Sequence, residues 1–341
     1  MDVGLLAPAG AGRAATFART IEDLGFASLV IPDSQNLAPE VWVQLVLAAK
    51  ATSRLRLGPG VTNSVTRDPA VTACAAVTLQ VESDGRAVLA IGRGDSSVQR
   101  IGKTQDPVAH FERYVAEVQS YLRGEAVDRD GFASQLEWLP DTKVAKVPVE
   151  VAATGRRVIA AAARQADRIC FAVGADPDHL ATVLALARDD ARAAGRDPAT
   201  LRFGAYVTCV LHDDVAAARE GVRGAAATFA RFSALPGSRL ETLPEPLRQT
   251  AAYLREHYDM RDHTRTGVAH TAGISDEFVD WFAIVGPAER ARGRFRALAG
   301  LGLDFVHVVP GSTGADLAVV GASIEAIAKE IVPAFAGAPP R

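Results

Sequence analysis

Two apolar patterns alternate along nearly the whole chain. Short runs with strand character end in Gly, Pro, Asp or Ser turns, and Ala-rich stretches follow whose apolar residues recur at helical spacing, as Phe17, Ile21 and Leu24 do. The pattern predicts strands at Asp2–Ala7, Ser28–Ile31, around Leu55–Leu57, Ala87–Ile91, Val149–Ala153, Arg168–Val173, Phe203–Leu211 and Asp304–Val309. Helices are predicted at about 13–24, 39–52 and 69–81, from Asp106-Pro107 to Leu122, and from Thr154-Gly155-Arg156 to Gln165. Others start near Asp176-Pro177 and after Asp214, cover 287–299, and run to about Ile331. Val127–Leu139 reads as a strand or hairpin excursion. The segment from about Phe232 to Trp281 loses the periodicity and gathers Pro, Gly, His and aromatics, so it reads as an insertion after strand seven.

Eight strands alternating with helices predict an α/β fold, a TIM (β/α)8 barrel, as a single domain over 1–341 with an insertion at about 232–281. An open doubly wound sheet fits the same alternation. No G-x-G-x-x-G follows the first strand, which counts against its dinucleotide-binding form.

Composition narrows the partners. The 341 residues carry a formal net charge of −3 with both signs interspersed, which indicates no nucleic-acid surface and no basic membrane patch. Cys74, Cys170 and Cys209 lie in apolar surroundings without metal-ligand spacing and read as buried small hydrophobes. The N-terminal MDVGLLAPAG shows no signal-peptide pattern, and no apolar run reaches the roughly 18 residues of a membrane span, so the expected location is the cytoplasm and the expected partner a small molecule.

In a barrel the residues just after each strand converge on one face. Here they are Asp33 and Ser34, Thr62 and Asn63, Arg93, Asp95 and Ser96, Thr154 and Gly155, and Gly174. They form no metal-ligand set and contain no activated nucleophile of the G-x-S-x-G type. Thr154-Gly155-Arg156, at a strand-to-helix junction, reads either as a plain helix cap or as an anion site built from free N–H groups and a guanidinium. An anion there would make Arg156 matter more for ligand affinity than for folding.

LGFASLVIPDS, LRLGPGVTNSVTRDPAVTA (Leu55–Ala73), AVLAIGRGDSSVQRIG, VEVAATGRRVIAAAARQADRICFAVG and IVGPAERARGRFRALAGLGLDFVHVVP occur in this order over nearly the whole chain. Together they resemble the bacterial luciferase-like flavin- and deazaflavin-dependent oxidoreductases, among them the methylenetetrahydromethanopterin reductases. The resemblance implies a barrel with FMN or coenzyme F-420 across its strand ends and a non-prolyl cis peptide at Gly60–Val61 behind the ring. Thr62 and Asn63 would then meet the ring edge, Asp33 would be the strand-two acid, and Thr154, Gly155, Arg156 and Gly174 would form the phosphate region; Arg93, at the end of strand four, is a further cofactor-binding candidate. Asp95 would stand near the reacting part of the ring, where relatives often have Glu.

Some deazaflavin relatives carry His after the strand-two Asp, where this chain has Ser34. His257, His263 and His270 are therefore read two ways, with His263 as the catalytic candidate: as proton-handling groups above the ring, or as polar residues on an exposed loop. The leading expectation is a monooxygenase using reduced flavin and O2 on a small organic substrate, with a flavin reductase as supplier. The alternatives are F-420-dependent hydride transfer without O2 and a cofactor-free accessory barrel. A homodimer or homotetramer is implied by the resemblance.

Overall fold

The computed structural model describes residues 1–235 and 238–335. The first half runs β1 (Asp2–Leu6), α1 (Ala14–Asp23), β2 (Ser28–Ile31), α2 (Val41–Ala51), β3 (Arg56–Pro59), β4 (Thr62–Asn63) and α3 (Pro69–Glu82). It continues with β5 (Leu89–Gly92), α4 (Ser96–Gln99), α5 (Val108–Leu122), the hairpin β6 (Val127–Arg129) and β7 (Phe132–Ser134), α6 (Leu139–Thr142), β8 (Val149–Ala153) and α7 (Arg156–Gln165). The second half has β9 (Arg168–Phe171), α8 (Pro177–Ala193), β10 (Arg202–Leu211), α9 (Val215–Phe232), α10 (Glu245–His257), α11 (Asp276–Phe282) and β11 (Ile284–Gly286). It ends with α12 (Ala288–Gly300), β12 (Phe305–Val309), α13 (Leu317–Glu330) and α14 (Val332–Phe335).

The main sheet is parallel throughout, in the order β3-β2-β1-β12-β10-β9-β8-β5-β4. β3 and β4 are one barrel stave interrupted at Gly60–Val61: β3 pairs with β2, β4 pairs with β5, and a bridge from Leu57 to Ala87 closes the ring. The barrel is therefore the architecture, and the open-sheet alternative falls away. Asp-Pro punctuation explains much of the register: Asp68 and Asp176 each cap a helix whose first residue is Pro, and Asp214 caps α9 by accepting from two N–H groups.

A shell of apolar residues from Val3 to Val332 fills the space between strands and helices, while Cys170, Ala172, Tyr206 and Phe305 pack inside the barrel. A separate apolar cluster joins α9, α10, α11 and β11 above the rim. The segment 232–281, of which residues 236 and 237 lie outside the described residues, is thus more ordered than its weak periodicity predicts. It contains α10 and most of α11, whose apolar positions face α9 instead of the barrel. β11, α4 and α6 were not foreseen; each is only three or four residues long, too short for periodicity to register.

Candidate functional site

The strand ends do meet on one face. Leu6, Val61, Ala152, Phe229 and Phe232 are partly buried around Cys170, Ala172, Tyr206 and Phe305, giving an apolar floor and wall at the carboxyl end of the barrel. The Gly60–Val61 peptide at this floor is cis.

The polar side is built from β2, β4 and the turn after β5. Thr62 Oγ1 donates to Asp33 Oδ2 at 2.7 Å, and Arg67 Nε lies 3.7 Å from the same oxygen. Burial raises the Asp33 carboxyl above its ordinary range, against the opposing pull of Thr62 and Arg67. Asn63 is spent on the fold: its Oδ1 accepts from Val65 N and Thr66 N, and its Nδ2 donates to Ser97 Oγ. Ser34 Oγ meets Ser96 Oγ at 2.9 Å, tying the second strand end to the fourth. Thr62 and Asn63 are almost wholly buried, so their side chains hold the loop.

Asp95 sits where β5 turns into α4. Gly94 before it has φ +88, and a Cβ there would come 2.3 Å from Val98 Cγ2, so the turn depends on glycine. Asp95 Oδ1 accepts from Arg231 Nη1 at 2.7 Å and from Gln99 Nε2 at 2.9 Å, whereas Oδ2 is buried without a hydrogen bond. Arg231, on α9, lies over the Tyr258 ring at 4.5 Å. His263 Nδ1 is 2.8 Å from Tyr258 Oη and 3.8 Å from Asp95 Oδ2. Burial holds the His263 imidazole well below its ordinary pKa, at about 4, so it is neutral at pH 7.

The three histidines therefore separate. His263 joins Asp95. His270 is buried and lies 4.4 Å from the Tyr258 ring, centroid to centroid, while His257 is exposed and stacks on Tyr253. Arg100 Nη2 donates to the carbonyls of Met260 and Arg261, so the turn after β5 is tied to the segment that carries His263.

The fifth and sixth strand ends differ from the sequence reading. Arg156 points to the flank of the barrel and pairs in a fork with Asp190 of α8, which takes its guanidinium away from the junction. Gly174, at φ +89, is covered by the Phe282 ring, 2.6 Å from where a Cβ would stand, and Ala175 N donates to Phe282 O. It serves the packing of α11. Thr154 Oγ1 lies 3.4 Å from Ala172 O, and Gly155 caps α7 with open space beside it. The cations near this open helix start are Arg93 and Arg157. Arg93 Nε donates to Asp106 O at 2.6 Å, and burial lowers its pKa, opposed by the Asp106 carboxylate and aided by the Arg157 charge. Neither guanidinium makes an ion pair within the described residues. Sequence reasoning passed over Arg157, whose only signal was its place one residue inside the helix, and Arg231, which is distant in sequence and revealed only by the fold.

Deeper in the barrel lie Glu150, Cys170 and His307, whose ligand-type atoms are within 4.8 Å of one another. Glu150 Oε2 accepts from Arg168 Nε at 2.8 Å and its Oε1 lies 3.2 Å from His307 Nε2, so its charge is already answered. The group reads as an ion-pair cluster, not as a metal centre.

The family model described as luciferase-like monooxygenase matches residues 2–304. The chain belongs to the luciferase-like monooxygenase family. Within that family it is similar to the 5,10-methylenetetrahydromethanopterin reductase of Methanolobus tindarius, 26% identical over 310 residues that cover 87% of this chain and 89% of the relative. It is also similar to the phthiodiolone/phenolphthiodiolone dimycocerosates ketoreductase of Mycobacterium kansasii, 30% identical over 309 residues covering 86% and 82%. Among solved luciferase-like folds, the coenzyme F420 dependent tetrahydromethanopterin reductase of Methanopyrus kandleri superposes with a TM-score of 0.74 at 22% identity, over 98% of this chain and 99% of that one. As a luciferase-like family member the chain is an oxidoreductase.

Proposed function

We propose that this protein is a reductase or dehydrogenase that uses coenzyme F-420 to move a hydride to or from a small organic substrate. The observation that carries the reading is the paired Arg93 and Arg157 at the open start of α7, beside an apolar floor formed by Leu6, Val61, Ala152 and Tyr206. Two neighbouring guanidiniums that form no ion pair among the described residues, Arg93 feeling the Asp106 carboxylate only at longer range, stand next to free helix N–H groups; they suit a phosphorylated cofactor, and the floor suits a flat ring. When bound, the cofactor supplies the hydride; the chain supplies the phosphate grip, the ring's apolar support and the Asp33 and Asp95 carboxylates beside it. That the similar Methanolobus and Mycobacterium proteins are named as reductases favours hydride transfer over the oxygenase reading.

Titration with F-420 and with FMN, followed by single-turnover reduction with and without O2, tests this. Tight F-420 binding and O2-independent turnover are expected. Preference for reduced FMN with O2 consumption would replace the reading with the monooxygenase one, which calls for a flavin reductase. Binding of neither would leave an accessory barrel.

The chain is proposed to act as a single domain over 1–341 with the 232–281 insertion, and as a homodimer. The support for a dimer is the outward apolar face of the neighbouring helices α2 and α3, where Val43, Leu47, Val71 and Val81 are exposed. No helix among the described residues is long and apolar enough to cross a membrane. The three free cysteines suit a cytoplasmic setting, which we propose.

A further inference from the structure

The hydrogen bonds around His263 fix which of its nitrogens carries the proton. Thr228 Oγ1 donates to Gly224 O at 3.0 Å, one turn back along α9, and accepts from Thr264 N at 3.1 Å. Its single proton is thereby used, so in its 2.8 Å contact with Tyr258 Oη the tyrosine donates. A phenol has one proton to give. In the 2.8 Å contact between Tyr258 Oη and His263 Nδ1, the imidazole must then be the donor.

Asp95 leads independently to the same tautomer. Its Oδ2 is buried, has no hydrogen bond, and lies 3.8 Å from His263 Nδ1. A proton on Nδ1 places positive charge toward that oxygen; a bare nitrogen would set a lone pair against it. Nε2 has no partner among the described residues, and, unlike His270 Nε2, it is not among the orphaned nitrogens sealed from solvent.

We infer that His263 is held as the Nδ1–H tautomer by Tyr258 and Asp95, and that its Nε2 is the proton acceptor for a substrate hydroxyl, making the substrate a carbinol–carbonyl couple. The inference rests on the hydride-transfer reading above. In the oxidative direction, the carbinol O–H bond breaks and its proton passes to Nε2. A bound oxidised deazaflavin would accept the carbon-bound hydrogen with both C–H electrons as the C=O bond forms. In the reverse direction the imidazolium returns the proton to the carbonyl oxygen as the carbon receives the hydride. Tyr258 and Asp95 are positioning residues: they act through the imidazole.

The test is long-range 1H–15N correlation on full-length protein labelled with 15N-histidine, without cofactor, with His263→Asn used to assign the peaks. A pyrrole-type Nδ1 and a pyridine-type Nε2 are expected at pH 7. In Tyr258→Phe, checked for folding by circular dichroism, the Nε2 signal is expected to move measurably toward the pyrrole value, a change that a purely structural tyrosine would not produce. A protonated Nε2 in the wild type, or an unchanged spectrum in folded Tyr258→Phe, overturns the assignment. F-420 titration of the same sample separates the two levels: a protonated Nε2 with F-420 bound defeats only this inference, whereas a bare Nε2 with no F-420 binding defeats the functional reading on which the carbinol assignment rests.

Discussion

Two buried charged clusters occupy opposite ends of the barrel, and they are finished to different degrees. Near the amino-terminal ends of β8 and β9, both oxygens of Glu150 are engaged, by Arg168 and His307, and the Arg168 guanidinium also lies 3.8 Å over the Phe305 ring. Their charges hold the Glu150 carboxyl down at about 2 despite complete burial. At the other end Asp95 keeps one oxygen bare, Asp33 is pushed toward its neutral form, and His263 is neutral with one nitrogen unpartnered. In the first cluster both carboxylate oxygens are engaged and only His307 Nδ1 lacks a hydrogen bond, so its charge is answered within the fold. In the second a carboxylate oxygen is itself bare, which is how buried polar groups at a site are expected to differ from those of a core.

The largest expected effect attacks the complete cluster. Glu150→Gln leaves Arg168 without its counter-charge in the barrel interior, and urea denaturation should show a loss of about 3–5 kcal/mol. Because the folded-state pKa lies below the unfolded value of 4.5, the stabilisation in the parent protein is complete above pH 4.5 and disappears as pH falls toward about 2.

His263 gives a milder and differently placed dependence. Its folded pKa of about 4 is below the unfolded 6.5, so it costs nothing above pH 6.5, and stability falls as pH drops from 6.5 to 4, by up to about 3 kcal/mol. Asp95, Arg231, Arg100, His270 and Tyr258 all face it. His263→Asn should remove this slope from denaturation curves taken across that range while leaving the Glu150 transition in place. A slope that persists would assign the dependence to other groups.

Cofactor affinity sharpens the contrast further. Arg93→Ala and Arg157→Ala should each weaken F-420 binding by about tenfold to a hundredfold, the ~1.5–3 kcal/mol of a hydrogen bond to a charged group. Arg156→Ala should leave affinity unchanged, because that side chain serves Asp190. Fluorescence titration decides, and a reversed order would return the phosphate to Arg156. The smallest effect is expected at Arg100→Ala. Loss of its bonds to the Met260 and Arg261 carbonyls should speed amide exchange over residues 258–266 while costing about 1 kcal/mol or less of global stability.

The barrel was legible because its strands and helices have unmistakable periods and Asp-Pro caps; Ser28–Ile31 and Val149–Ala153 fall where the pattern puts them. Thr62, Asp33 and Asp95 were legible as strand-end polar residues. What each does was not, since a hydrogen bond such as Thr62 to Asp33, 29 residues apart, follows from closure of the barrel and leaves no local signature. Arg156 shows the limit most clearly. The sequence places it at the right junction, but its direction depends on where Asp190 of the next helix falls. The pairing of Glu150 with Arg168 and His307 was equally invisible, because it spans three separate staves.

β11 adds a last consequence. Cys209, Val210 and Leu211 at the end of β10 pair with Ile284, Val285 and Gly286, so the chain leaves the rim and returns to it at one place. The stretch between, α9 apart, therefore has both ends at one doorway, with further ties from Arg100 to the Met260 and Arg261 carbonyls and from Ala175 N to Phe282 O. Attachment at one doorway makes it a module hung on the rim, outside the strand order that shuts the barrel. His263 belongs to that module, whereas Asp95, Arg93 and the floor belong to the scaffold. His263 and the strand-end residues thus sit on separately attached parts of the chain.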